Sequence, residues 1–98
     1  MPMISRDMDL AATGHGCTKV IGVKATQYTV FANGRPVLGP GDPCLPHVIQ
    51  VGPFCKGHFG AVNVGSFRVY ANGRPVSRVG DSTDLGALIQ GSRNVHAG

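Results

Sequence analysis

The stretch VFANGRPVLGPGD at 30–42 returns as VYANGRPVSRVGD at 69–81, an offset of 39 with nine of thirteen positions identical. Repetition at such a period marks a repeated supersecondary unit, which one neighbour must help to bury. Each copy predicts a β-hairpin. Asn33-Gly34 and Asn72-Gly73 suit the type I′ turn, which needs positive φ at both central residues. An alternating segment precedes each turn, with Tyr28 and Val30 in one copy and Phe67 and Val69 in the other. Pro36 and Pro75 follow the turns and cannot donate to a ladder, so the return strands belong on edges. The Gly-Asp pairs at 41–42 and 80–81 read as turns that close each unit.

A third copy is partial. GAVNVGSFRVYANG, from Gly60, is echoed by GALIQGSRNVHAG, from Gly86, at an offset of 26. That echo stops at Gly98, where its hairpin should turn. The N-terminal ISRDMD can supply the missing return strand, with Asp7 or Asp9 in the place of the Gly-Asp aspartates. Closing a ring of three units in this way removes open sheet edges. The expectation is an all-β domain of short hairpins with pseudo-threefold symmetry; the alternative is a plain hairpin stack.

Composition agrees with one small domain over residues 1–98. Glu and Trp are absent and charged residues make up 14%, against about 25% in typical domains. Fifteen glycines and seven prolines favour tight turns over helices. The net charge of +4 is dispersed, without the clustered basic residues and stacking aromatics of a nucleic-acid footprint, so no nucleic-acid partner is expected. MPMISRDMDLAATG lacks the apolar core of a signal peptide, and no stretch is long enough to span a membrane. Synthesis in a reducing cytoplasm is the expectation, and three cysteines, an odd number, do not suggest a disulfide framework.

All three cysteines and three of the four histidines lie outside the repeats. The first cluster is Gly14-His15-Gly16-Cys17; the second holds Cys44-x-x-His47 and Cys55-x-x-His58 between Asp42 and Gly60. Thiolate and imidazole in these numbers suit tetrahedral Zn²⁺. A loop of nearly twenty residues in a compact domain needs something to hold it, and a small core benefits from a staple. Buried or idle thiols are the plainer reading of each cysteine. His96 aligns with Phe31 and Tyr70 and reads as a strand-face residue outside the site. Neither Cys–His pair has an orienting carboxylate in evident reach and no glycine-rich phosphate loop is present, so no enzymatic activity is expected.

NGRPV-x-x-x-GD, preceded by GS-x-x-V-x-A and a GHGC loop, resembles the PAAR-repeat family over essentially the whole chain, with GSFRVYANGRPVSRVGD the most specific part. The tetrapeptide that names the family reads Pro36-Val37-Leu38-Gly39 and Pro75-Val76-Ser77-Arg78, and the Cys-Gly often found in the last unit is Leu85-Gly86. The resemblance implies a small cone whose pointed end is stapled by a metal. Such a cone caps a trimeric β-helical spike, one cap per trimer, in type VI secretion systems (as VgrG) or contractile phage tails. It implies a structural zinc, with iron the alternative, held by three histidines and one cysteine. Carried over, these are His15, His47 and His58; the cysteine is Cys55, with Cys44 and then Cys17 as alternatives. It further implies delivery outside the cell on the spike, transient contact with a target membrane, and noncovalent effector cargo as an additional partner. No residue is assigned to partner contact.

Overall fold

The computed structural model describes residues 1–14, 19–84 and 86–98, with backbone alone for 47–51 and 58. Among them are ten short strands and no helix. These are β1 (Leu10–Ala12), β2 (Val20–Gly22), β3 (Phe31–Ala32), β4 (Arg35–Pro36), β5 (His47–Val51), β6 (Phe54–His58), β7 (Tyr70–Ala71), β8 (Arg74–Pro75), β9 (Ser82–Thr83) and β10 (Gly86–Leu88). One antiparallel sheet runs β2-β1-β10-β9, and β3–β4, β5–β6 and β7–β8 are separate hairpins.

Both repeat hairpins turn as their Asn-Gly pairs require. Asn33 and Gly34 have φ of 55° and 75°, and Asn72 and Gly73 have 55° and 77°. Pro36 pairs with Phe31 and Pro75 with Tyr70, each on a strand with one open side. The strands are shorter than the alternation at Tyr28–Val30 and Phe67–Val69 suggests. A side-chain acceptor takes the backbone donors there instead. Gln27 Oε1 accepts from the N–H groups of Thr29 and Val30 at 3.0 and 2.9 Å. Ser66 Oγ accepts from Arg68 and Val69, both at 3.0 Å.

The third repeat exists and is assembled from both ends of the chain. Ser92 Oγ accepts from Asn94 and Val95 at 3.2 and 3.0 Å, as Gln27 and Ser66 do in their units. Met3 bridges His96 where Pro36 bridges Phe31 and Pro75 bridges Tyr70. The donor–acceptor pairs Val37–Val30, Val76–Val69 and Ile4–Val95 are equivalent, at 3.1, 3.0 and 2.9 Å. Asp9 accepts from Arg6 N–H at 2.8 Å as Asp42 does from Gly39 at 2.9 Å and Asp81 from Arg78 at 2.8 Å. Asp9 is therefore the third closing aspartate. Asp7, the other sequence candidate, lies two residues upstream. Each aspartate follows a residue with positive φ: Met8 at 65°, Gly41 at 92° and Gly80 at 95°.

The units meet in a closed backbone ring. Leu38 N–H donates to Ser5 O at 3.0 Å, Ser77 to Leu38 at 2.8 Å and Ser5 to Ser77 at 3.0 Å. All three residues are buried. Three donors feeding three acceptors around a circle define an approximate threefold axis and leave none of these groups orphaned. Two apolar layers flank the ring. One holds Ile4, Val37 and Val76 with Ala32, Ala71 and Ala97 beneath the hairpins. The other includes Val23, Val62 and Leu88, with Ala11 and Cys44.

The closing aspartates tie neighbouring units together. Arg35 of the first repeat reaches Asp9 of the third at 3.0 Å, and Arg74 of the second reaches Asp42 of the first at 2.8 Å. Asp9 and Asp81 are also gripped by their own Arg6 and Arg78. At the matching place the first repeat has Gly39. A Cβ there would lie 2.7 Å from Arg74 Nε, so glycine makes room for the neighbour's guanidinium.

Candidate metal centre and docking face

The second Cys/His segment stands at one end, beside β1 and β2, which flank the first in the sequence. The connection between β1 and β2 carries the first, and β2 is joined to the second by Leu45 N–H donating to Gly22 O at 2.9 Å. A Val23–Cys44 bridge and a Cys44–Gly60 backbone bond of 2.9 Å close the base of the second. This end adjoins the Val23, Val62, Leu88 layer, opposite the Asn-Gly hairpins. The molecule measures 42 × 23 × 21 Å.

The second segment is no open loop. It holds the five-residue strands β5 and β6, paired in full register from His47↔His58 to Val51↔Phe54. Strand pairing thus supplies part of the order that a metal was invoked to provide. His47 and His58 are register partners, and Cys55 pairs with Gln50. Residues 55 and 58 fall at alternate parity along β6. Cys55 is exposed and disulfide-bonded. His15 and Cys17 lie outside the described residues, as do the side chains of His47 and His58. Among the described residues no group of three metal-ligating side chains gathers.

Cys44 is buried in the core, with Sγ 3.2 Å from Thr83 Oγ1. Two residues after the closing aspartate, it is the equivalent of Thr83 and Ala11, both buried as well. Burial pushes its thiol above the ordinary value, the Thr83 hydrogen bond lowers it, and the Asp84 carboxylate raises it. A protonated thiol walled in by Val23, Val62 and Leu88 is a packing group, the plainer of the two readings.

At the opposite end the repeats present large apolar side chains. Tyr28 is 58% exposed, Phe31 51%, Phe67 91% and Tyr70 55%. Residues related by a rotation share one height along its axis. Phe31, Tyr70 and His96 therefore form one ring, and Tyr28, Phe67 and Arg93 a second. In the third repeat the first ring has the imidazole of His96 and the second the guanidinium of Arg93. Sequence reasoning assigned none of these residues, although the signal was present as aromatics at matched positions of both repeats, beside turn signals.

A threefold girdle of backbone bonds, one end faced with aromatics and the other carrying the β5–β6 hairpin, defines a small pseudo-threefold all-β domain. The family model for the PAAR motif matches residues 10–91, and the chain belongs to that family. PAAR-motif proteins are structural components associated with spike tips. A search of curated proteins returned no match to the chain.

Proposed function

We propose that this chain is a non-enzymatic tip that caps a trimeric β-helical spike, VgrG-like or phage, and sharpens it for piercing a target envelope. The observation that carries this reading is the approximate threefold axis through the Ser5, Leu38, Ser77 ring. A threefold partner can meet all three repeats with equivalent surfaces. The aromatic rings supply the contact, since large apolar side chains left in water gain about 25 cal/mol per Å² on burial. Aromatic anchors of this kind dominate interface energetics. Made in the bacterial cytoplasm, the chain leaves on the spike, touches the target membrane transiently, and carries effectors, if any, noncovalently. The test is binding to a trimeric β-helical spike with Phe67→Asp and Tyr70→Asp as variants. Each should weaken binding by at least about tenfold, the loss of one hot spot. Undiminished binding by both would overturn the assignment of the face.

The opposite end is proposed to hold one structural zinc, or iron, through His15, His47, His58 and one cysteine. Support comes from the donor chemistry, from the joined bases of the two segments, and from the register pairing of His47 with His58. Cys55 ranks first and can ligate only once its disulfide is reduced. Cys17 is the remaining alternative, because Cys44 is buried in the core. When bound, the metal replaces the packing that a narrow end cannot supply. Metal analysis of protein purified under reducing conditions tests this. One equivalent should be retained by wild type and lost in His15→Ala and His58→Ala. Retention in both variants would remove the assignment.

A further inference from the structure

The seams between repeats share a plan but do not carry the same chemistry. In two of them, the Asn-Gly turn of one repeat rests on the approach strand of the next. Asn72 Nδ2 reaches Thr29 Oγ1 at 2.6 Å on the first repeat, and Asn33 Nδ2 reaches Asn94 Oδ1 at 2.8 Å on the third. At the third-repeat seam lies a crevice of about 660 Å³ whose walls include Arg6, Asn33, Ile89, Gln90, Arg93 and Asn94.

Its polar groups are already sorted. Gln90 Oε1 accepts from Leu10 N–H at 3.1 Å, which leaves the Gln90 amide NH₂ as the end offered to a ligand. Asn94 Oδ1 accepts from Asn33 Nδ2 at 2.8 Å, which likewise leaves its NH₂. Asn33 Oδ1 is taken by Arg6 Nη1 at 3.2 Å and by Ser92. Arg6 is otherwise committed to Asp9. Arg93 has no ion-pair partner among the described residues. The crevice therefore presents a guanidinium and two amide NH₂ groups, while its side-chain amide oxygens are already occupied. At the equivalent of Arg93 the other seams have Tyr28 and Phe67. At the equivalent of Gln90 they have Ala25 and Val64.

We propose that this seam binds an acidic peptide segment, with a carboxylate on Arg93 and the amides of Gln90 and Asn94, one segment per chain. Planar donors in a fork match a planar carboxylate. A volume of 660 Å³ exceeds what a single small anion fills and suits a stretch of peptide. The ligand is expected once because Arg93 and Gln90 stand together at this seam only.

The test is fluorescence anisotropy on the full chain alone, near physiological ionic strength. The probe is a labelled hexa-aspartate peptide, compared with hexa-asparagine and with a labelled deoxythymidine oligonucleotide. Arg93→Gln and Arg68→Gln each remove one exposed cation, and Arg68 stands at the equivalent of Asn94 outside the crevice. The expected result is saturable binding of hexa-aspartate only, weakened at least fivefold by Arg93→Gln and less than twofold by Arg68→Gln. Absence of saturable binding would overturn the proposal. So would equal loss in both variants, which marks general charge attraction, or tighter binding of the oligonucleotide, which marks a phosphate site. No spike is present in this assay, so its outcome is separate from that of spike docking.

Discussion

At the scale of single residues, the fold hangs on a few buried polar groups whose removal has predictable effects. Asp42 is fully buried, accepts from Gly39 N–H at 2.9 Å and pairs with Arg74 at 2.8 Å. Asp42→Ala leaves a guanidinium and a backbone donor without their acceptor. A loss of roughly 3 kcal/mol in urea unfolding is expected, less than for a wholly buried pair because Arg74 keeps partial contact with water. Cys44 gives a contrasting case. Alanine already stands at the equivalent position 11, so Cys44→Ala should cost about 1 kcal/mol and leave metal content unchanged. Its raised thiol pKa also fixes a sign. The stability it contributes is fully present below the ordinary thiol value of 9.0 and is lost as pH rises from there through the higher folded value. Wild type should therefore lose stability in this alkaline range, and Cys44→Ala should lose less. Equal slopes for the two proteins would contradict the buried assignment.

At the scale of elements, turns and close approaches set the tolerance. Gly73 has φ of 77° and nothing near its absent Cβ, so Gly73→Ala should cost only about 1 kcal/mol of backbone strain. Gly86 has no such room. A Cβ there would sit 1.8 Å from Ala12 O, where β10 pairs with β1. Gly86→Ala should separate those strands and lower the melting temperature far more than Gly73→Ala; thermal unfolding of the two variants decides it. The hairpins were legible because Asn-Gly fixes its own dihedrals and proline declares its own missing donor. The third repeat was legible as an echo plus a return strand. The choice of Asp9 over Asp7 was not, because it depends on which residue takes positive φ, and Met8 gives no such hint. The β5–β6 hairpin was missed, since Cys and His in His47–Val51 and Phe54–His58 drew attention to ligation where Val48, Ile49 and Val51 favour strand. Cys44 escaped for a similar reason: its neighbours suggested a ligand, and only its equivalence to Thr83 and Ala11 marks it as core.

At the scale of the whole molecule, the decisive property is symmetry without identity. The Ser5, Leu38, Ser77 ring holds three repeats around one axis, while a guanidinium, Arg93, stands at the Tyr28 and Phe67 position only in the third. Two kinds of partner are proposed for one fold. The shared aromatic positions suit a threefold surface, and the odd seam suits a single asymmetric ligand. The most direct measurement is the stoichiometry of the complex with a trimeric β-helical spike, by native mass spectrometry. One copy of this chain per spike trimer is the predicted result. Three copies per trimer, or no complex at all, would contradict an axial cap.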